Sequence, residues 1–129
     1  MVDAAVSEVV RGNAGKGAQG EQAACRYLCE NGWTVVARNY RTKRAEIDVV
    51  ARRGDLLAFI EVKSWDALGK EDLEYAVGPL KRSRILGAAR AFLAERPGIP
   101  YGIVRFDVIL VDGSGRRIEH IEDAFGEVV

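Results

Sequence analysis

The sequence holds few of the residues that usually build metal clusters and disulfide frameworks. It has two cysteines, Cys25 and Cys29, and His120 is its only histidine. A zinc site would need two further ligands beside the cysteines, so the common Cys/His frameworks do not fit. Cys25 and Cys29 fall four apart in an expected helix, on one face and poorly placed to bridge, so reduced structural thiols are expected. Net charge is also lacking, with nineteen acidic residues against nineteen lysines and arginines. No bulk positive field exists that alone would hold a polyanion, and any nucleic-acid binding has to come from local patches. Long apolar runs are absent as well, "LLAFI" being typical, which excludes a helical membrane span. The N-terminal "MVDAAVSEVVRGN" has no basic leader followed by an apolar core, so a cytoplasmic location is expected.

What is present is an ordinary globular mixture, 48% hydrophobic and 29% charged over 129 residues, enough for one core. Residues 1–16 show little periodicity and are expected as a loosely ordered N-terminal segment before a single domain over 17–129. From about Ala18 to Asn31, Ala24, Tyr27 and Leu28 recur at helical spacing, and Asn31-Gly32 supplies a left-handed stop. "WTVVARNY", "AEIDVVAR" and "LLAFIEVKS" read as three strands of a meander, the last two joined by a tight turn at Gly54. "WDALGKEDLEYAVG" has no steady period and reads as a long connection. Pro79 opens a second helix to about Ala94, with Ile85, Ala88, Ala89 and Phe92 on its apolar face. "YGIVRFDVILVD" and "RRIEHI" complete the order α-β-β-β-α-β-β, an α/β domain with one mixed sheet covered by helices.

The informative stretch is "RAEIDVVARRGDLLAFIEVKSW", which sets Glu46, Asp48, Glu61 and Lys63 at alternating positions of two strands. If Arg52 pairs with Asp55 or with Leu57 around the turn, Asp48 lies on the same sheet face as Glu61, opposite it or one diagonal away. "LLAFI" is apolar on both faces, as in a central strand covered on both sides, so the ionisable groups appear at the end of a buried element. Two crowded carboxylates there are costly unless a cation sits between them, and oxygen donors favour magnesium or manganese. Asp48 and Glu61 with Lys63 form the apparatus expected for metal-assisted phosphodiester hydrolysis, the ammonium orienting water or neutralising the phosphorane. The simpler alternative is a cross-strand ion pair between Glu46 and Lys63 on a half-exposed sheet.

Glu21 lies near the start of the first helix, where a carboxylate also complements the macrodipole. Lys81, Arg82 and Arg84 oppose that dipole in the second helix, and a docking phosphate would account for them. Trp65 and Tyr75 are read as packing residues rather than base-stacking platforms, Arg105 and Asp107 as a local ion pair, and His120 as structural or solvated.

"GAQGEQAACRYLCENGWTVVARNYR", "AEIDVVAR", "FIEVKS", "RFDVILV" and "IEHIEDAF" follow one another as in the YraN-like family (UPF0102) of uncharacterised bacterial proteins, and the likeness covers nearly the whole chain from Gly17. This family resembles a branch of the PD-(D/E)XK endonuclease-like superfamily, similar in fold to Holliday-junction resolvases and the core of restriction enzymes. The resemblance implies a restriction-endonuclease-like fold, with Asp48 as motif aspartate, Glu61 and Lys63 as the Glu-x-Lys pair, Glu21 as the helical glutamate near the metal and Glu46 in support. It implies a magnesium- or manganese-dependent nuclease acting on branched or single-stranded DNA in repair or recombination, with resolvase-like relatives that dimerise. The alternative is a non-catalytic nucleic-acid-binding or adaptor protein that keeps the fold. Ala45 stands where the family usually has glycine, and Trp65 where it often has an arginine able to clamp phosphate.

Overall fold

In the computed structural model, residues 16–64, 79–112 and 116–124 are described. The order is α1 (Lys16–Glu30), β1 (Thr34–Arg41), β2 (Glu46–Arg53), β3 (Leu56–Ser64), α2 (Pro79–Glu95), β4 (Ile103–Val111) and β5 (Ile118–Ile121). The mixed α/β arrangement and its order are those expected from the sequence. The expected connection over residues 65–78, with Trp65 and Tyr75, lies outside the described residues, as do 1–15. Among the described residues no helix is long and apolar enough to cross a membrane.

The five strands pair in sequence order. β1, β2 and β3 form an antiparallel meander, β4 joins β3 in parallel, and β5 returns antiparallel to β4. Local chemistry sets the corners. Gly32 has φ 86°, and the N–H groups of Gly32 and Trp33 donate to the carbonyls of Cys29 and Leu28, a Schellman stop for α1. Gly54 has φ 63° at the first central position of the two-residue turn between Arg53 and Leu56.

Alternation along β3 divides the core in two. Leu57 and Phe59 join Ile85, Ala88, Ala89 and Phe92 of α2, while Ala58 and Ile60 join Ala24, Cys25 and Leu28 of α1. The helices therefore cover opposite faces, which is why "LLAFI" has no polar side. Phe59 stacks on Phe106 and meets Phe92 edge to face, with ring centroids 5.7 Å apart in each pair.

The cysteines differ more than a shared helix face suggests. Cys25 is buried and Cys29 is exposed at the last turn of α1, and neither is in a disulfide. Burial pushes the Cys25 thiol up to about 11. One thiol should therefore react promptly with Ellman's reagent at pH 8 in the native protein, and the second only in denaturant; two equally fast thiols would contradict this burial.

Candidate active site

The Arg52↔Leu57 pairing is one of the two registers anticipated, and it continues to Val49↔Ile60. The regular pairing ends there, and Asp48 lies just beyond it, close enough to Glu61 for the two charges to act on each other. Strict alternation breaks here, because Ile47 and Val50 both pack in the α2-side core while Val49 packs in the α1-side core. Asp48 takes part in the irregularity, since its Oδ2 accepts the Val62 backbone N–H at 2.8 Å.

Glu61 is buried at the end of the apolar run. Lys63 Nζ lies 2.9 Å and Lys81 Nζ 2.8 Å from its Oε2, so two ammonium groups from β3 and α2 converge on one oxygen. Among the described residues Asp48 has no such cation. Burial first, and then the charge of Glu61, push its carboxyl up to about 8, against the opposing Val62 N–H. For Lys63, burial alone would lower the pKa, but the hydrogen bond and charge of Glu61 prevail and raise it.

Glu21 and Glu46 form the outer part of the cluster. Glu21 Oε1 accepts from Arg38 Nη2 at 3.2 Å, and this arginine's side chain is only 1% exposed. The amide orientation that satisfies Asn39 directs its Nδ2 to Glu21 Oε1 at 3.2 Å and to Glu46 Oε2 at 3.0 Å. Asn39 has φ 53°, a left-handed conformation that asparagine tolerates better than most side chains. Glu46 Oε2 also pairs with Arg41 Nε at 3.3 Å, while the ion pair of Lys63 is the one with Glu61. Both glutamates add to the rise of Asp48.

The fold thus brings Glu21, Glu46, Asp48, Glu61 and Lys63 to one end of the β2–β3 pair, and it brings Lys81 there as well. Arg82 is half-buried, and Arg84 is exposed one turn further along α2. Arg38 and Asn39 were missed in the sequence because their role depends on an irregular β1, which shows no turn signal. Among the described residues, no group of three or more His, Cys, Asp or Glu side chains stands close enough to hold a metal ion. Asp48 and Glu61 together would offer an ion two carboxylates. That fits magnesium, which commonly binds through one or two carboxylates and keeps several waters, and poorly fits a closed protein cage.

A second polar cluster lies around Asp107, which is fully buried. Arg105 grips both its oxygens at 2.9 and 3.0 Å, His120 Nε2 lies 2.7 Å from Oδ2, and the Asp123 N–H donates to Oδ1 at 2.9 Å. The Tyr27 hydroxyl meets His120 Nδ1 at 3.0 Å. The local Arg105–Asp107 pair expected from the sequence is present, and His120 is a structural part of the same network.

A mixed five-stranded sheet between two helices, with opposed carboxylates and lysines at one end of its central strands, defines a small α/β domain with a candidate catalytic centre. The family model described as "Uncharacterised protein family UPF0102" matches residues 20–111, and the chain belongs to that family. Among similar proteins, a UPF0102 protein of Anaeromyxobacter dehalogenans is 40% identical over 111 residues, covering 84% of this chain and 82% of that one. A UPF0102 protein of Chlorobaculum tepidum is 44% identical over 117 residues, covering 84% and 90%. One from Ralstonia nicotianae is 44% identical over 120 residues, covering 89% of each.

Proposed function

We propose that the protein is a divalent-metal-dependent DNA endonuclease, and the observation that carries this reading is the closeness of the Asp48 and Glu61 carboxylates, with Lys63 on Glu61. Asp48 and Glu61 would hold magnesium or manganese, which when bound supplies Lewis-acid stabilisation of the phosphoryl charge and a more acidic water. Lys63 sets a fixed positive charge beside the reacting phosphate and offers ammonium protons to orient the attacking water. Lys81 adds a second cation from α2, while Arg38 and Asn39 fix Glu21 and Glu46 around the pair. The resemblance to endonuclease-like families supports the same assignment, and with it a cytoplasmic role on branched or single-stranded DNA in repair or recombination, by a homodimer.

One observation favours a second reading, binding without cleavage. Glu61 Oε2 already takes two ammonium groups. These lysines must give way in part if the carboxylate is to bind a dication. Labelled single-stranded, duplex, flap and four-way-junction DNA, incubated with magnesium or manganese, separates the two readings. Cleavage by the native protein that disappears in Asp48→Asn purified in parallel is expected. Equal cleavage by both proteins would mark a contaminant, and binding without cleavage would favour the adaptor.

A further inference from the structure

A groove of about 670 Å³ lies between the β1–β2 turn and α2, and it is lined by Lys43, Arg44 and Arg84 with Thr42, Ser83 and Gly87 among its other walls. Among the described residues no acidic side chain lines it. In a chain whose charges cancel at nineteen each, this is a local separation of sign, and it selects a polyanion. Lys43, Arg44 and Arg84 are all exposed, and among the described residues none of their side chains forms an ion pair.

The turn holds its cations in place. Thr42 Oγ1 accepts the N–H groups of Arg44 and Ala45, each at 3.2 Å, and the Thr42 N–H donates to the Ala45 carbonyl at 2.8 Å. On the opposite wall, Gly87 sits inside α2 where alanine would favour the helix, and a Cβ there would meet nothing within 4 Å. That wall is open to close approach by a ligand. Its position ties the groove to the carboxylates, since Arg44 precedes Glu46 by two residues and Arg84 lies one helical turn beyond Lys81, whose ammonium is 2.8 Å from Glu61.

We infer that this groove carries the sugar-phosphate backbone of one DNA strand toward Asp48 and Glu61, with Lys43, Arg44 and Arg84 pairing with successive phosphates. The choice of DNA as the polyanion rests on the function proposed above; the groove and its charge do not. Lys81 then belongs to the carboxylate centre, and the cations that track the strand come from both walls of the groove.

The test is fluorescence anisotropy with a labelled mixed-sequence oligodeoxynucleotide, single-stranded and as a duplex, in EDTA so that nothing is cut. The native protein is compared with Gly87→Glu, which places an acid in open space, and with the triple variant Lys43→Ala, Arg44→Ala, Arg84→Ala. Both variants should bind at least about tenfold more weakly, and the triple variant should lower the salt slope on single strands by about 2. The DNA form showing the larger loss identifies the strand the groove takes. Thermal midpoints and calorimetric magnesium binding should match the native protein. Unchanged affinity and slope in both variants, absence of DNA binding by the native protein, or equal binding of poly-glutamate would overturn the inference. Asp48-dependent cleavage with binding indifferent to Gly87→Glu would sink the groove alone. Groove-dependent binding without cleavage would sink the nuclease alone.

Discussion

Asp48→Asn is expected to make the metal-free protein more stable at pH 8, and Glu61→Gln to make it less stable, although both remove one negative charge from the same pair. Asp48 has its carboxyl raised to about 8 by burial and by Glu61. A carboxyl raised on folding gives stability that is whole below its unfolded value, near pH 4, and is lost as pH rises through the folded value, near pH 8. Across that window the native protein should lose stability progressively as pH rises, on the order of 1 kcal/mol per pH unit. Asparagine removes the slope and keeps an oxygen for the Val62 N–H.

Glu61 differs because Lys63 and Lys81 both lie against it. Its neutralisation weakens two charge-assisted hydrogen bonds at a buried oxygen, costing about 1 to 3 kcal/mol, while letting the Asp48 carboxyl fall and so flattening the pH dependence. Urea unfolding in EDTA from pH 4 to pH 9 measures all three proteins. A flat native profile would contradict the crowding of Asp48. In calorimetry, magnesium binding to the native protein should strengthen toward pH 8, as Asp48 loses its proton, and be weakened strongly in both variants.

Asp107→Ala is expected to destabilise by about 3 to 5 kcal/mol, as breaking a buried, hydrogen-bonded charge network does. The loss leaves the Arg105 guanidinium and His120 without the carboxylate between them, and it frees the 122–124 turn that the Asp123 N–H ties to β4. A domain of this size should show a drop in Tm of about 10 to 20 °C. Asp107→Asn, which retains one acceptor oxygen, should fall between. Burial alone would raise this carboxyl, but the hydrogen bonds from His120, Arg105 and the Asp123 N–H hold it below the usual range. Its contribution is present above about pH 4 and lost as pH falls through its lowered value. Acid unfolding should therefore be less steep in Asp107→Ala; an unchanged acid limb would mean that other carboxylates carry it.

Much of the site geometry was legible in the sequence because it lies on one hairpin. Pairing around Gly54 brought Asp48 near Glu61 without any tertiary information, though the break in alternation between Ile47 and Val49 left no mark in the sequence, and the doubly apolar run before Glu61 marked β3 as central. Lys81 was legible only as a cation set against its helix dipole. Its partner, Glu61, is twenty residues away and reached only when α2 packs on the sheet. Asn39 and Arg38 were hidden by the regular look of "WTVVARNY", which conceals the φ of 53° at Asn39. The Asp107 network joins α1, β4 and β5, and no periodicity relates Tyr27 to His120, which stand 93 positions apart.

The strand order also has a kinetic meaning. β1, β2 and β3 pair through short turns, whereas β4 pairs with β3 only after residues 65–102 have been traversed. Closing the longer loop costs more chain entropy, so the meander is the natural early nucleus. Asp48 and Glu61 are then brought together before α2 delivers Lys81, with Lys63 alone to offset their repulsion. The carboxylate end of the sheet is thus least favourable electrostatically early in folding, and the docking of α2 completes its charge balance.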